Sequence, residues 1–268
     1  MAETFVIVGA GLAGGGAAAT LREEGFDGRV VLIGAEPRPP YERPPLSSEY
    51  LRGESPFGQA LFQSPDFYGE NGIETRFGVR VTRVDATEKV IELDNGESVP
   101  YEALLFATGA RNRRIPIPGL DLEGIYDLRT VADSDRIRAE ISPGHKAVVV
   151  GMGFIGSEVA ASLRLSGVEV TVVDRNTVPL RRVLGEEVGR IVEGIHRDRS
   201  PAEQGRVDRR GPGGLSLKNL GERRCSQAKG RCVWIGKDSL APAKVCRDGP
   251  PPWPYCRSGP PTSHYRGT

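Results

Sequence analysis

Two groups of glycines carry the most telling spacing in this chain. Gly9, Gly11 and Gly14 stand as G-x-G-x-x-G in VIVGAGLAG, and Gly151, Gly153 and Gly156 repeat the pattern in VVVGMGFIG. In such a loop the first glycine permits a tight turn, the second lets the main chain approach a pyrophosphate, and the third lets helix and strand touch. A helix opening at the loop offers unpaired N–H groups and a partial positive charge to the phosphates. Asp174 closes the strand that follows, 23 residues after Gly151. An acid near that spacing hydrogen-bonds a ribose 2′-OH and repels a 2′-phosphate, which favours NAD over NADP. Arg175 beside it pulls the other way. Two cradles imply two dinucleotides. If one is a nicotinamide carrier, the other is naturally FAD, which takes a hydride and can release single electrons.

The surrounding pattern must place these loops. Phe5–Val8 reads as a short buried strand, Leu12 to about Glu24 as an alanine-rich helix, and Arg29–Ile33 as a second strand. Ala147–Val150, a helix from about Phe154 to Leu165, and Glu169–Val173 repeat that plan. Between the two units lies EPRPPYERPPLSSEYLRGE, whose prolines are expected to exclude regular helix or sheet. Val79–Val84, Val90–Leu93 and Leu104–Ala107 read as strands, with a tight hairpin turn at Asn95-Gly96. The alternating order predicts an α/β protein with parallel sheets and two Rossmann-like domains.

Composition narrows the function classes. The net charge of +1 gives no reason to expect a nucleic-acid partner or an anionic membrane surface. No stretch is long and apolar enough to span a bilayer, and MAETFVIVGAGLAGGGAAA lacks the basic leader of a secretory signal, so a cytoplasmic protein is expected. The first 198 residues contain no cysteine, so redox chemistry there must come from a bound cofactor. Cys225, Cys232, Cys246 and Cys256 form no C-x-x-C pair, and no cluster has metal-ligand spacing. His145 reads as a surface residue, His196 as solvated or a helix-end cation, and His264 lies near the end.

The two loops, PYERPPLSSEYLRGE, LLFATGARNRRIPIPG and YDLRTVADSDRIR together resemble the FAD-dependent pyridine nucleotide–disulfide oxidoreductase superfamily. Within it, the match is to the ferredoxin and rubredoxin reductases that serve oxygenases, over residues 4–198. The resemblance implies an enzyme that moves hydride from NADH to FAD and passes electrons singly to a ferredoxin or rubredoxin. It implies an FAD site at Gly9, Gly11, Ala13 and Gly14, with Arg43 near the flavin and Val81 at the adenine side. Ala107, Thr108 and Gly109 match the A-T-G segment that closes over the cofactor, and Arg113 and Arg129 match arginines that reach it. Gly151, Gly153, Ile155, Gly156, Glu158 and Asp174 match the NAD site. A monodehydroascorbate reductase and a non-catalytic nucleotide-binding remnant are the rival readings. Without a cysteine pair near the flavin the chain stands apart from disulfide reductases such as glutathione reductase.

Three departures matter. The lysine of the family's R-P-P-L-S-K run, which would pair with the acid at Glu158, is Ser48 here. The ribose acid after the second-strand glycine is Ala35, with Glu36 beside it as a substitute. Beyond Asp198 the family pattern stops. Residues 1–198 hold 22 Lys/Arg and 30 Asp/Glu, whereas residues 199–268 hold 14 and 5, so two kinds of sequence are joined. The tail has 10 Arg, 10 Gly and 9 Pro, a composition that should not pack a core. The expected organisation is an FAD-binding domain over 1–110, an incomplete NAD-binding domain over 111–198, and an irregular tail over 199–268. The tail reads as an out-of-frame translation from about Arg199; an uninterrupted homologous frame in the gene would remove that reading. Weak FAD retention is the expected consequence.

Overall fold

The computed structural model describes residues 3–113, 120, 122–198, 230–234 and 244–246. Its elements begin with β1 (Thr4–Val8), α1 (Leu12–Glu23) and β2 (Arg29–Gly34). A 3-10 turn (Pro44–Ser47), α2 (Glu49–Arg52), a second 3-10 turn (Phe57–Ala60) and α3 (Phe67–Glu70) follow. Five strands come next: β3 (Ile73–Phe77), β4 (Val81–Asp85), β5 (Val90–Leu93), β6 (Ser98–Pro100) and β7 (Ala103–Phe106). The remainder is β8 (Ile125–Tyr126), α4 (Val131–Ala139), β9 (Lys146–Val150), α5 (Phe154–Leu165), β10 (Glu169–Val173), α6 (Arg181–Asp198), β11 (Gly230–Trp234) and β12 (Lys244–Cys246).

The chain divides into two units, one of residues 1–39, 64–108 and 243–268, the other of 40–63 and 109–242. This corrects the expectation of contiguous domains, because the proline-rich segment belongs with the second glycine loop. Its apolar residues decide the matter. Leu46, Tyr50 and Leu51 are buried in one core with Leu128, Val131, Ile137, Val149, Val159 and Leu163. The prolines do not exclude helix either. Pro44 and Pro45 occupy the opening positions of the 3-10 turn, where a missing N–H costs nothing, and α2 follows directly.

In the first unit the main sheet runs β12-β7-β1-β2-β3, with β7, β1, β2 and β3 parallel. Strand alternation buries both faces, as a parallel sheet requires. Val6, Val8, Val31 and Ile33 join Ile91, Leu93 and Val99 on one side. Ile7, Val30 and Leu32 join Ala18, Tyr68 and Ile73 on the other. The antiparallel sheet β4-β5-β6 turns at Asn95-Gly96, where Gly96 has φ 87° and Leu93 exchanges hydrogen bonds with Gly96 and Glu97.

Tyr68 is 2% exposed, and its hydroxyl has no hydrogen-bond partner among the described residues. Burial pushes its pKa up to about 12. A buried hydroxyl without a partner is a net cost. Tyr68→Phe is therefore expected to stabilise the first unit by roughly 1 kcal/mol, read as a raised denaturation midpoint; a clear loss of stability would contradict the assignment.

In the second unit the sheet runs β10-β9-β11-β8, all parallel. Thr130 opens α4 with a capping box to Asp133. Burial opposes the charge on Asp133, yet hydrogen bonds from Thr130, Arg136 and Arg129 hold its pKa below the usual carboxylate range. One of these, Arg129 N–H to Asp133 Oδ2 at 3.1 Å, fixes the main chain beside Leu128.

The strands β11 and β12 correct the expectation of a wholly irregular tail. Residues 230–234 pair with β9 and residues 244–246 with β7. Open strand edges present unpaired N–H and C=O groups that such segments can satisfy. The rest of that expectation lies outside the described residues, as does His264. His196, expected to be solvated or a helix-end cation, is half-buried, and burial pushes its pKa down, towards the neutral form. The helix that carries it bends at Gly185, with φ 82° and ψ 179°.

Candidate nucleotide-binding sites

The two glycine loops fold alike because the same backbone problem is solved twice. Gly9 has φ +116° and Gly151 φ +100°, values that favour glycine. Each first glycine donates its N–H to the end of the neighbouring strand, Gly9 to the Ile33 carbonyl and Gly151 to the Val173 carbonyl, both at 2.8 Å. A Cβ at Gly14 would lie 1.8 Å from the Gly9 carbonyl oxygen, and one at Gly156 2.0 Å from that of Gly151. The third glycine is thus demanded by helix–strand contact in both loops.

The middle glycines are different. A Cβ at Gly11 or Gly153 would meet nothing within 4 Å. Nothing in the packing requires glycine there. Both are N-caps, of α1 and α5, and neither supplies a side-chain acceptor to the first-turn N–H groups. Those groups are left for an outside acceptor. This is the arrangement a dinucleotide diphosphate fits: open space over the middle glycine, with N–H donors beneath it.

Two of the other expected residues, Ala107 and Thr108, stand against the first loop. A Cβ at Gly9 would lie 2.1 Å from the Ala107 carbonyl oxygen, so Ala107 walls the loop; its own N–H donates to the Val8 carbonyl at 2.8 Å. A Cβ at Gly34 would fall 2.5 Å from the Cβ of Ala10, a close approach that explains the glycine ending β2. Ala13 lies in the first turn of α1, Thr108 is exposed after β7, and Glu36 is half-buried beyond β2. Val81 opens β4, beside a register shift between Val81 and Arg83.

Around the second loop, Asp174 is tied into the loop itself. Its Oδ2 accepts from Met152 N–H at 2.5 Å, and its Oδ1 accepts from Asn176 N and Nδ2 at 2.6 and 2.8 Å. The acid expected at a ribose therefore also braces the glycine turn. A cavity of about 240 Å³ lies in the same unit, lined by Arg43, Pro44, Leu46, Ser47, Leu128, Arg129, Ile155 and Glu158. It collects four expected residues: Arg43, Arg129, Ile155 and Glu158. Arg43 donates to the Arg129 carbonyl at 2.6 Å and stands over the Tyr41 ring at 6.0 Å. The Cβ position of Gly109, at φ +68°, lies 3.9 Å from the Arg129 guanidinium. Arg113 is exposed and does not line the cavity.

Sequence reasoning missed Ser47, whose Oγ donates to Glu158 Oε2 at 2.5 Å. Ser48, at the family's lysine position, turns instead to the carboxylate of Glu49 and the Pro44 carbonyl. Among the described residues no group of His, Cys, Asp and Glu could hold a metal, and no helix is long and apolar enough to cross a membrane.

The family model described as pyridine nucleotide-disulphide oxidoreductase matches residues 3–200. The chain belongs to that family. Among curated relatives of this family member is a ferredoxin–NAD(P)(+) reductase of a Sphingomonas species, 42% identical over 194 residues, which are 72% of this chain and 47% of the relative. The biphenyl dioxygenase system ferredoxin–NAD(+) reductase component of Paraburkholderia xenovorans strain LB400 is 42% identical over 189 residues, 70% and 46% of the two chains. Among solved structures, the covalent putidaredoxin reductase–putidaredoxin complex matches with a TM-score of 0.74 at 28% identity, covering 87% of this chain and 58% of that one. NADH:rubredoxin oxidoreductase of Clostridium acetobutylicum gives 0.72 at 25% identity, covering 90% and 59%. This family member spans about half the length of the curated relatives it matches.

Proposed function

We propose that the chain is the nucleotide-binding part of an NADH-dependent FAD reductase that supplies electrons to a ferredoxin or rubredoxin of an oxygenase system, in the cytoplasm. The observation that carries the reading is the pair of middle glycines, Gly11 and Gly153, each open above an uncapped helix start. The names of the relatives support the electron acceptor.

In this reading Gly9, Gly11, Ala13 and Gly14 hold the FAD diphosphate, with Glu36, Val81, Ala107 and Thr108 as further FAD contacts. Arg43, Gly109, Arg113 and Arg129 are assigned to the same cofactor. Gly151, Gly153, Ile155, Gly156, Glu158 and Asp174 take the nicotinamide dinucleotide. Bound FAD supplies the chemistry, accepting a hydride from NADH and releasing electrons one at a time. The residues contribute position rather than acid–base catalysis: loop N–H groups fix phosphates, Asp174 presents a negative edge to a ribose, and the apolar cavity wall at Leu46, Leu128 and Ile155 keeps water away from the nicotinamide.

Purified chain is titrated with FAD and with NADH, and dye and ferredoxin reduction are then followed. Saturable binding of both is expected, with FAD held weakly, and ferredoxin is preferred over monodehydroascorbate as acceptor. Failure of either dinucleotide to bind would sink the proposal. Because the chain spans half of its relatives, a second reading is a binding part without turnover of its own; binding with no dye reduction would favour it.

A further inference from the structure

Glu158 is held by a hydroxyl. Ser47 is 4% exposed, lines the cavity with Glu158, and donates to Oε2 at 2.5 Å, much closer than its other contact, the Pro44 carbonyl at 3.1 Å. No other hydrogen bond to Glu158 is made among the described residues, which leaves Oε1 as an acceptor. Ser47 is itself fixed from behind. Ser162, 1% exposed on α5, donates to the Ser47 carbonyl at 2.7 Å and accepts from Arg52 at 3.1 Å. Ser134, fully buried on α4, donates to the Leu46 carbonyl at 2.9 Å. Two helices thus clamp the main chain of residues 46 and 47, and the clamped hydroxyl orients an otherwise exposed carboxylate.

We propose that Ser47 is a positioning residue for the nicotinamide end of the bound dinucleotide: its hydroxyl holds Oε2 of Glu158 so that Oε1 accepts a hydrogen bond from the carboxamide NH2. This rests on the reading that the second loop binds a nicotinamide dinucleotide. A neutral hydroxyl here orients the acid without cancelling its charge, unlike an ammonium at residue 48, so the carboxylate keeps its full strength as an acceptor.

The test compares NADH with ADP-ribose, which offers the same diphosphate without the nicotinamide. Ser47→Ala is expected to weaken NADH binding about tenfold and to leave ADP-ribose unchanged. Glu158→Ala should do the same, the double variant should lose no more than either single one, and Ser47→Thr should restore most of the affinity. Additive losses, equal losses for both ligands, or no loss would overturn the proposal. Should Ser47→Ala lose its melting transition, Glu158→Ala, at an exposed position, decides the matter by whether its loss is confined to NADH. If native chain binds neither ligand, the reading of the second loop fails first, and visibly so.

Discussion

Gly11→Ser is expected to leave the first unit as stable as the native chain while abolishing its affinity for FAD, whereas Gly14→Ala is expected to unfold that unit. The two glycines lie in one motif, and their roles separate physically. At Gly14 a Cβ would sit 1.8 Å from the Gly9 carbonyl oxygen, inside any contact a real carbon tolerates, and the obstacle is main chain that cannot swing aside. A cost of roughly 3 kcal/mol or more follows, a large share of a small unit's stability. At Gly11 the backbone, φ −87° and ψ −172°, is one any residue adopts, and the added atoms meet nothing within 4 Å. Serine is also a good N-cap, so stability should hold or rise by a few tenths of a kcal/mol. Yet its hydroxymethyl group fills the space a phosphate needs and competes for the same N–H donors. Thermal melting and FAD titration on the two variants read the contrast. A Gly11→Ser chain that binds FAD normally would refute the role given to the open space.

Leu51→Ala is expected to destabilise the second unit by about 3 kcal/mol and to weaken NADH binding with it. Leu51 is fully buried on α2, in the core that holds Val149, Val159 and Leu163. Removing its side chain leaves a cavity under the segment that carries Arg43 and Ser47, so the wall facing Glu158 loosens as the core weakens. Melting followed by limited proteolysis near residues 40–63 would register both effects. A variant with native stability would mean that the proline-rich segment is a surface loop after all.

Much of the fold was legible because its determinants are local. Each glycine loop is specified by main-chain geometry within about thirty residues, which a spacing pattern records directly. The turn at Asn95-Gly96 is legible for the same reason, since a positive φ calls for glycine. What the sequence hid is decided by distant partners. The unit to which residues 40–63 belong depends on which core receives Leu46, Tyr50 and Leu51. The apolar spacing of Leu46 and Tyr50, one helical turn apart, was the available signal, and the prolines masked it. Ser47 escaped notice because its partner lies 111 residues away. Spacing alone marks Asp174 as an acid expected at a ribose, but its bond to Met152 N–H is a matter of three-dimensional closure. The pairing of residues 230–234 and 244–246 was invisible because strand pairing uses main-chain groups that every residue shares.

The interleaving of the two units has a consequence for synthesis on the ribosome. The parallel strand–helix–strand unit of residues 4–34 can assemble as soon as it leaves the exit tunnel. The segment 40–63 emerges next, but the core that buries it is not finished until β10 ends at Val173. For that interval, roughly 5–20 s at ordinary elongation rates, Leu46, Tyr50 and Leu51 must wait in water until the residues of their own core have been made. Slower translation of residues 64–173 should therefore lengthen the window in which nascent chains cling to one another or to chaperones.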